Sequence, residues 1–430
     1  MTDAAVRRTD PPSFRQALKV WATIGVLSFG GPAGQIALMN RILVDERRWL
    51  TEEEFLHALN FCMLLPGPEA MQLATYAGWR LHGWRGGLAA GLLFVVPGAV
   101  VILLLAALYA AYGQVTLVAG LFYGIKAAVL AIVVEALLRV ARKSLKRASD
   151  WLIAAAAFAA LCFFALPFPL VVLAAGFFGY LRAGGAAAPT ADFSRTAWQH
   201  TALTALGWLA LWLVPVLALI LSLGSDHVFS QVALFFSKLA IVTFGGAYAV
   251  LAYMAQQAVE VYGWLKPAEM VDGLGLAETT PGPLILVTEF VGYLAGYRLA
   301  GGFWGGVAAA LITLWVTFVP CFLMIFTAAP YIERLRTMPR LSAALEGITA
   351  AVVGVILNLT VWFALHVLFG RVAKASFGPV QTLVPDVSTI SLGSVALLAL
   401  AAVLLFRLHA GIPATLATCS ALGFIIYLLF

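Results

Sequence analysis

The chain has 430 residues, of which 63% are hydrophobic and 11% charged, against roughly 45 to 50% apolar and about 25% charged in soluble domains. This composition excludes an ordinary globular protein and indicates a polytopic membrane protein. The net charge of +6 does not argue for nucleic acid, because the basic residues fall in short clusters between apolar runs, the pattern that orients membrane spans.

A membrane span needs about 20 apolar residues. On that measure thirteen segments are predicted, at 14–40, 57–80, 86–112, 116–140, 150–166, 167–182, 199–223, 229–256, 270–297, 301–328, 343–368, 388–407 and 411–430. The stretch through Pro12 is polar, and the first apolar run is too long and irregular for a cleavable signal. Segments five and six are divided only by Leu166-Pro167-Phe168-Pro169. Thr51 followed by Glu54 reads as a helix start with a capping box, and Lys266-Pro267-Ala268-Glu269 places proline at a first helical position.

Residues 14–182 recur, diverged, at 229–430. Phe29-Gly30-Gly31 returns as Phe244-Gly245-Gly246, Trp49-Leu50 as Trp264-Leu265, Pro66-Gly67-Pro68 as Pro281-Gly282-Pro283, and Gly86-Gly87 as Gly301-Gly302, all offset by 215. Val96-Pro97 then recurs as Val319-Pro320, and Gly124-Ile125 as Gly347-Ile348, offset by 223. The stretch Ala174 to Leu181 resembles Ala421 to Leu428. Two copies of one apolar unit with Gly/Pro interruptions at matching places point to a transporter.

Lys and Arg in short loops favour the cytoplasm. The cluster Arg139, Arg142, Lys143, Lys146 and Arg147 therefore sets the orientation, with Arg7, Arg8 and Arg15, the Arg80 to Arg85 loop, Arg182 with Arg195, the Arg334 to Arg340 loop and Arg407 also inside. Arg41, Arg47 and Arg48 dissent, a hint that segments one and two do not both cross fully. Counted this way, the odd seventh segment inverts the second copy. The expected fold is an all-α polytopic membrane protein with two inverted repeats of about six segments, residues 1–198 and 229–430, joined by a connecting helix in 199–228. The N-terminus is expected in the cytoplasm and the C-terminus in the periplasm.

Pro-Gly-Pro at membrane depth should break a helix. Broken helices expose half-helix N-termini, whose N–H groups and partial positive charge suit a small anion. The candidate anion contacts are Ser28, Phe29, Gly30, Gly31, Pro32, Pro66, Gly67, Pro68 and Gln72 in the first copy. In the second they are Gly245, Gly246, Thr279, Thr280, Pro281, Gly282 and Pro283. The Thr279 and Thr280 hydroxyls equally suit bonds back to their own helix. Lys126, about ten residues into its segment, is the best candidate for a cation facing an oxyanion. Glu69 and Glu278, beside the breaks, suit proton transfer better than anion contact. Arg80 is a candidate entry-site cation, although snorkelling or membrane orientation explains it better.

Other chemistry finds little support. The four cysteines lie in apolar runs without CxxC spacing, the six histidines are scattered, and no cofactor is expected. There is no H-E-x-x-H, no G-x-S-x-G and no pair of membrane aspartates, which weighs against a membrane enzyme. An anion channel stays open as an alternative, since broken helices also line pores.

The motifs Ser28-Phe29-Gly30-Gly31-Pro32, Leu65-Pro66-Gly67-Pro68-Glu69-Ala70 with Gln72 and Ala77-Gly78, and Glu278-Thr279-Thr280-Pro281-Gly282-Pro283 resemble the chromate ion transporters in their long, two-domain form. The resemblance implies a bacterial or archaeal inner-membrane protein that expels chromate, linked to the proton gradient, with sulfate as a competing analogue. Chromate, protons and lipid are then the expected partners, and a homodimer is left open. Ala247 stands where Pro32 would predict a proline, so the two copies should contribute unequally.

Overall fold

The computed structural model describes residues 12–29, 31–113, 115–182, 195–244, 247–331 and 339–429. Helix α1 (Phe14–Leu27) starts on Ser13, whose hydroxyl accepts from the Gln16 N–H while Gln16 returns the bond. It stops at Ser28. Helix α2 (Gly31–Asn40) runs into a π turn at Arg41–Glu46. Helix α3 (Glu52–Cys62) opens on the Thr51/Glu54 capping box expected from the sequence. The chain breaks again at Pro66-Gly67-Pro68 before α4 (Glu69–Tyr112), α5 (Thr116–Ser144), α6 (Ala148–Cys162), α7 (Phe168–Arg182) and the connecting α8 (Arg195–Leu223).

The same order then returns. Helix α9 (Val228–Val242) stops at Thr243, α10 (Ala247–Gln256) runs into a π turn at Gln257–Val261, and α11 (Pro267–Thr279) begins on its expected proline. After Pro281-Gly282-Pro283 come a 3₁₀ turn (Leu284–Leu286), α12 (Val287–Leu299), α13 (Phe303–Ala328) and α14 (Pro339–Leu368). Helices α15 (Leu392–Ala402) and α16 (Ile412–Leu429) close the described chain.

Among the described residues, α4, α5, α8 from Thr201, α13, α14 and α16 are each long and apolar enough to cross a membrane. The protein is an all-α polytopic membrane protein. Predicted segments 14–40, 57–80, 229–256 and 270–297 are not continuous helices. Each is divided at a Gly/Pro motif; at the two Pro-Gly-Pro runs proline removes a backbone donor, and Gly67 and Gly282 take the positive φ that other residues avoid. The connection at 369–387 holds a hairpin that the sequence reading does not anticipate: β1 (Val372–Phe377) pairs antiparallel with β2 (Val380–Pro385), with Phe377 opposite Val380 across the Gly378-Pro379 turn.

Packing joins the sequence halves. Within each, the first helix lies on a long one, α1 on α4 and α9 on α13, but α5 lies along α16 and α7 along α14. The α5–α16 seam is close because Gly124 has no side chain; a Cβ there would sit 1.8 Å from the Cys419 carbonyl oxygen.

The structure also corrects one sequence pairing. Gly83 (φ 61°, ψ −153°) has the backbone conformation of Gly302 (φ 76°, ψ −145°). Just beyond, Gly86 packs on the carbonyl of Gly78, as Gly305 does on that of Gly296. The counterparts of Gly86-Gly87 are therefore Gly305-Gly306, not Gly301-Gly302. Sequence identity alone favours the nearer glycine pair, because the extra residues of the second half enter in two places rather than one.

Candidate anion site

The two breaks meet. The N–H of Gly67 donates to the carbonyl of Thr243 at 2.7 Å, and the N–H of Gly282 donates to the carbonyl of Ser28 at 2.9 Å. Each bond links the Pro-Gly-Pro break of one half to the end of the first helix of the other. Both glycines have positive φ, +126° and +88°, a region costly for residues with a Cβ. Ser28 and Thr243 end their helices alike, each hydroxyl donating 2.6 Å to the carbonyl four residues back, Ile24 and Leu239.

Buried glutamines complete the junction. Gln35 Nε2 donates to the Gly282 carbonyl at 2.6 Å and to that of Ser28 at 3.3 Å, while Gln72 Nε2 donates to the Pro66 carbonyl at 2.7 Å. The Oε1 atoms of both glutamines are buried without partners. Gln72 is a predicted contact, but Gln35 is not, because an isolated Gln in a helix carries no motif.

The predicted backbone donors need revision. Proline has no N–H, so Pro66 and Pro68 offer none, and the N–H groups of Gly67 and Gly282 are already engaged. The free donors at this break are those of the first turn of α4, Glu69 to Met71, which a helix leaves without internal partners. Gly31 begins α2 with φ +69°, and Pro32 follows in the first turn, where a missing N–H costs nothing. Phe29 is 42% exposed. Pro281 packs its carbonyl against Gly98, and Pro283 leads into the 3₁₀ turn. Gly30, Gly245 and Gly246 lie outside the described residues. Thr279 donates to the Leu276 carbonyl at 2.8 Å and Thr280 to that of Ala277 at 3.2 Å, so both hydroxyls bond back to their own helix.

The charged candidates separate into distinct settings. Glu278 is buried at the end of α11, where Tyr248 of α10 donates to its Oε1 at 2.6 Å and Oε2 has no partner. Glu69 is half-buried on the first turn of α4. Lys126 Nζ lies 3.5 Å from Asp272 Oδ2, and Tyr109 donates to the same oxygen at 2.8 Å. Asp272 is not among the sequence candidates, although it stands between Val271 and Gly273 in a predicted span, a signal that is visible in the sequence. Arg80 pairs with Glu54 at 3.4 Å on the surface. Arg298 is held by Glu269 and the Trp264 carbonyl, which makes it a structural tie.

A cavity of about 350 Å³ opens beside the first break, lined by Asn60, Met63, Lys143, Lys146, Arg147 and Glu346 among others. Lys143 Nζ sits 3.7 Å from Met63 Sδ, three residues before Pro66. Three residues of the basic cluster, Lys143, Lys146 and Arg147, thus line a cavity close in sequence to the break.

Two broken helices joined through backbone, with half-helix N-termini at the junction, match the architecture of small-ion transporters. The sequence model of the chromate transporter family matches residues 15–180 and 230–424. The chain belongs to the chromate transporter family. It is similar to the chromate transport protein of Pseudomonas aeruginosa, 33% identical over 391 residues covering 88% of this chain and 87% of that protein. The chromate transport protein of Cupriavidus metallidurans is 28% identical over 82% of this chain and 83% of its own length. A probable chromate transport protein of Synechococcus elongatus is 29% identical over 81% and 84%. These relatives are transport proteins, not enzymes. No solved structure matches the chain.

Proposed function

We propose that the protein exports chromate across a bacterial inner membrane by alternating access, coupled to the proton gradient. The reading rests on the family and on one observation above all, the reciprocal bonds Gly67–Thr243 and Gly282–Ser28 that bring both breaks to one place. Reciprocal contacts of this kind suit a local two-fold axis. With the odd connecting helix and the charge count, they support halves of inverted topology, the arrangement in which a midplane site opens to either side. The basic cavity at Lys143, Lys146 and Arg147 receives the anion from the cytoplasm. The first-turn N–H groups of α2 and α4 and the ammonium of Lys126 hold it, and Glu278 or Glu69 carries the proton.

These donors do not distinguish tetrahedral dianions, so a general oxyanion permease that takes sulfate and chromate is the second reading. Uptake of labelled chromate into everted vesicles under an imposed pH gradient tests substrate, direction and coupling together. Transport that competes with sulfate, follows the gradient and is lost in Lys126→Met supports the proposal. Uptake unchanged in that variant removes Lys126 from the site, and a flux that never saturates and ignores the gradient indicates a channel.

A further inference from the structure

The Lys126–Asp272 pair has features that a structural tie would not need. Asp272 is deeply buried, with its side chain 4% exposed, while Lys126 keeps 25% of its side chain accessible. The lysine can be approached by a ligand; the aspartate cannot leave. Contact is loose at 3.5 Å, the Tyr109 hydroxyl holds the same Oδ2, and Oδ1 has no partner. Among the described residues no other hydrogen-bonding or ionic partner of Lys126 is found.

The pair also occurs once in a molecule whose elements occur twice. At an offset of 215 the counterpart of Asp272 is His57, which faces Glu53 on an exposed surface at 3.7 Å. At an offset of 223 the counterpart of Lys126 is Thr349, whose hydroxyl donates to the Leu345 carbonyl at 2.7 Å. The equivalent positions in the opposite halves, His57 and Thr349, do not form such a pair, so the repeated framework does not require it.

A dianion that takes the ammonium must displace Asp272 from it. The carboxylate would then be buried, unpaired and close to a second negative charge, an arrangement costing several kcal/mol. Uptake of a proton on Asp272 removes that cost, with the Tyr109 hydroxyl turning from donor to acceptor. We propose that Asp272 is the internal counter-ion that the oxyanion displaces from Lys126, and that it takes up a proton as the anion binds. This deepens the reading above and rests on Lys126 as an anion contact; it places proton coupling at a residue other than Glu69 or Glu278.

The surrounding elements carry further titratable groups. Tyr109 comes from α4 and Lys126 from α5; Glu269, one turn back on α11 itself, is held by Arg298 of α12, and α12 also carries Glu289 and Tyr293, both buried with unpartnered side-chain oxygens. Helix α14 carries its charges, Arg340, Glu346 and His366, toward its ends, and α16 has only Cys419 and Tyr427 as titratable groups. Because the proposed binding consumes a proton, anion affinity must rise as pH falls, by about tenfold per pH unit while Asp272 is ionised in the free protein.

The test is calorimetric titration of the purified full chain with chromate and with sulfate, in buffers of different ionisation enthalpy and across pH. Wild type should take up close to one proton per anion. Asp272→Asn keeps the shape and a hydrogen bond to Tyr109 while remaining neutral, so its affinity should lose the pH slope and match that of wild type at low pH. Tyr109→Phe, which removes the hydrogen bond to the ionised carboxylate, should move the slope to higher pH and guards against a folding failure of the first variant. Proton uptake and slope unchanged in Asp272→Asn overturn the inference while leaving the anion site standing. Undiminished anion binding in Lys126→Met, or no binding of either anion by wild type, overturns the underlying reading and the inference with it.

Discussion

The backbone N–H of Gly67 donates to the carbonyl of Thr243, 176 residues away in sequence, at 2.7 Å. Neither partner is a side chain, so the contact depends on where the two breaks place the backbone. A Cβ on Gly67 would meet Gln72 Nε2 at 2.7 Å and Cys321 Sγ at 3.0 Å, at a φ of +126°. Gly67→Ala should therefore lower stability by about 1 to 3 kcal/mol from strain and crowding and reduce transport more than expression. Thermal unfolding in detergent and vesicle uptake, measured on the same preparations, check this.

The α5–α16 seam gives a sharper steric test. Gly124→Leu should prevent close approach and lower the unfolding midpoint severely, since backbone rather than a movable side chain blocks the new atoms. A Cβ added at Gly207, in α8, would meet nothing within 4 Å. Gly207→Ala should be neutral or stabilise by up to about 1 kcal/mol through helix propensity.

Arg298 and Glu269 form a two-pronged pair, at 2.7 Å between Nη2 and Oε1 and 2.9 Å between Nη1 and Oε2. Glu269 is 7% exposed and Arg298 38%. Arg298→Met leaves the carboxylate buried without its partner and should cost about 2 kcal/mol, reduced from the fully buried range because the arginine is partly solvated. Arg298→Met combined with Glu269→Gln should recover part of the loss. A double-mutant cycle of unfolding midpoints measures it; additivity would show that the two side chains do not interact.

Lys374 of β1 meets Glu260 at 2.8 Å and is 67% exposed. Surface pairs of this kind contribute about 0 to 1 kcal/mol, so Lys374→Ala should leave the unfolding midpoint almost unchanged. A large drop would mean that the hairpin depends on this one contact.

Cys62, Cys321 and Cys419 are free and buried, whereas Cys162 is partly accessible. A membrane-impermeant maleimide should leave the first three unlabelled in the native protein and label them after unfolding in denaturant. Reductant should not alter stability.

Much of this is legible in the sequence because local chemistry decides it. Thr51 with Glu54, Pro267 and the two Pro-Gly-Pro runs act within a few residues, and all behave as their residue types dictate. What escapes depends on other criteria or on distant chain. Asp272 is hidden by averaging over an apolar window, although a single acidic residue among Val271, Gly273 and Leu274 is visible. The hairpin has alternating residues around Gly378-Pro379, but it lies between two strong spans that dominate the hydropathy of the region. The engagement of the Gly67 and Gly282 N–H groups by opposite-half carbonyls has no sequence signal, because every residue has a carbonyl.

The seam between α5 and α16 also sets an order of events during synthesis. Gly124 leaves the ribosome nearly three hundred residues before Cys419, so its helix enters the bilayer with that groove facing lipid or a temporary neighbour. Helix α7 likewise waits for α14. Neither seam can therefore close within one half alone, and the α5–α16 seam forms only once residues 412–429 have been made.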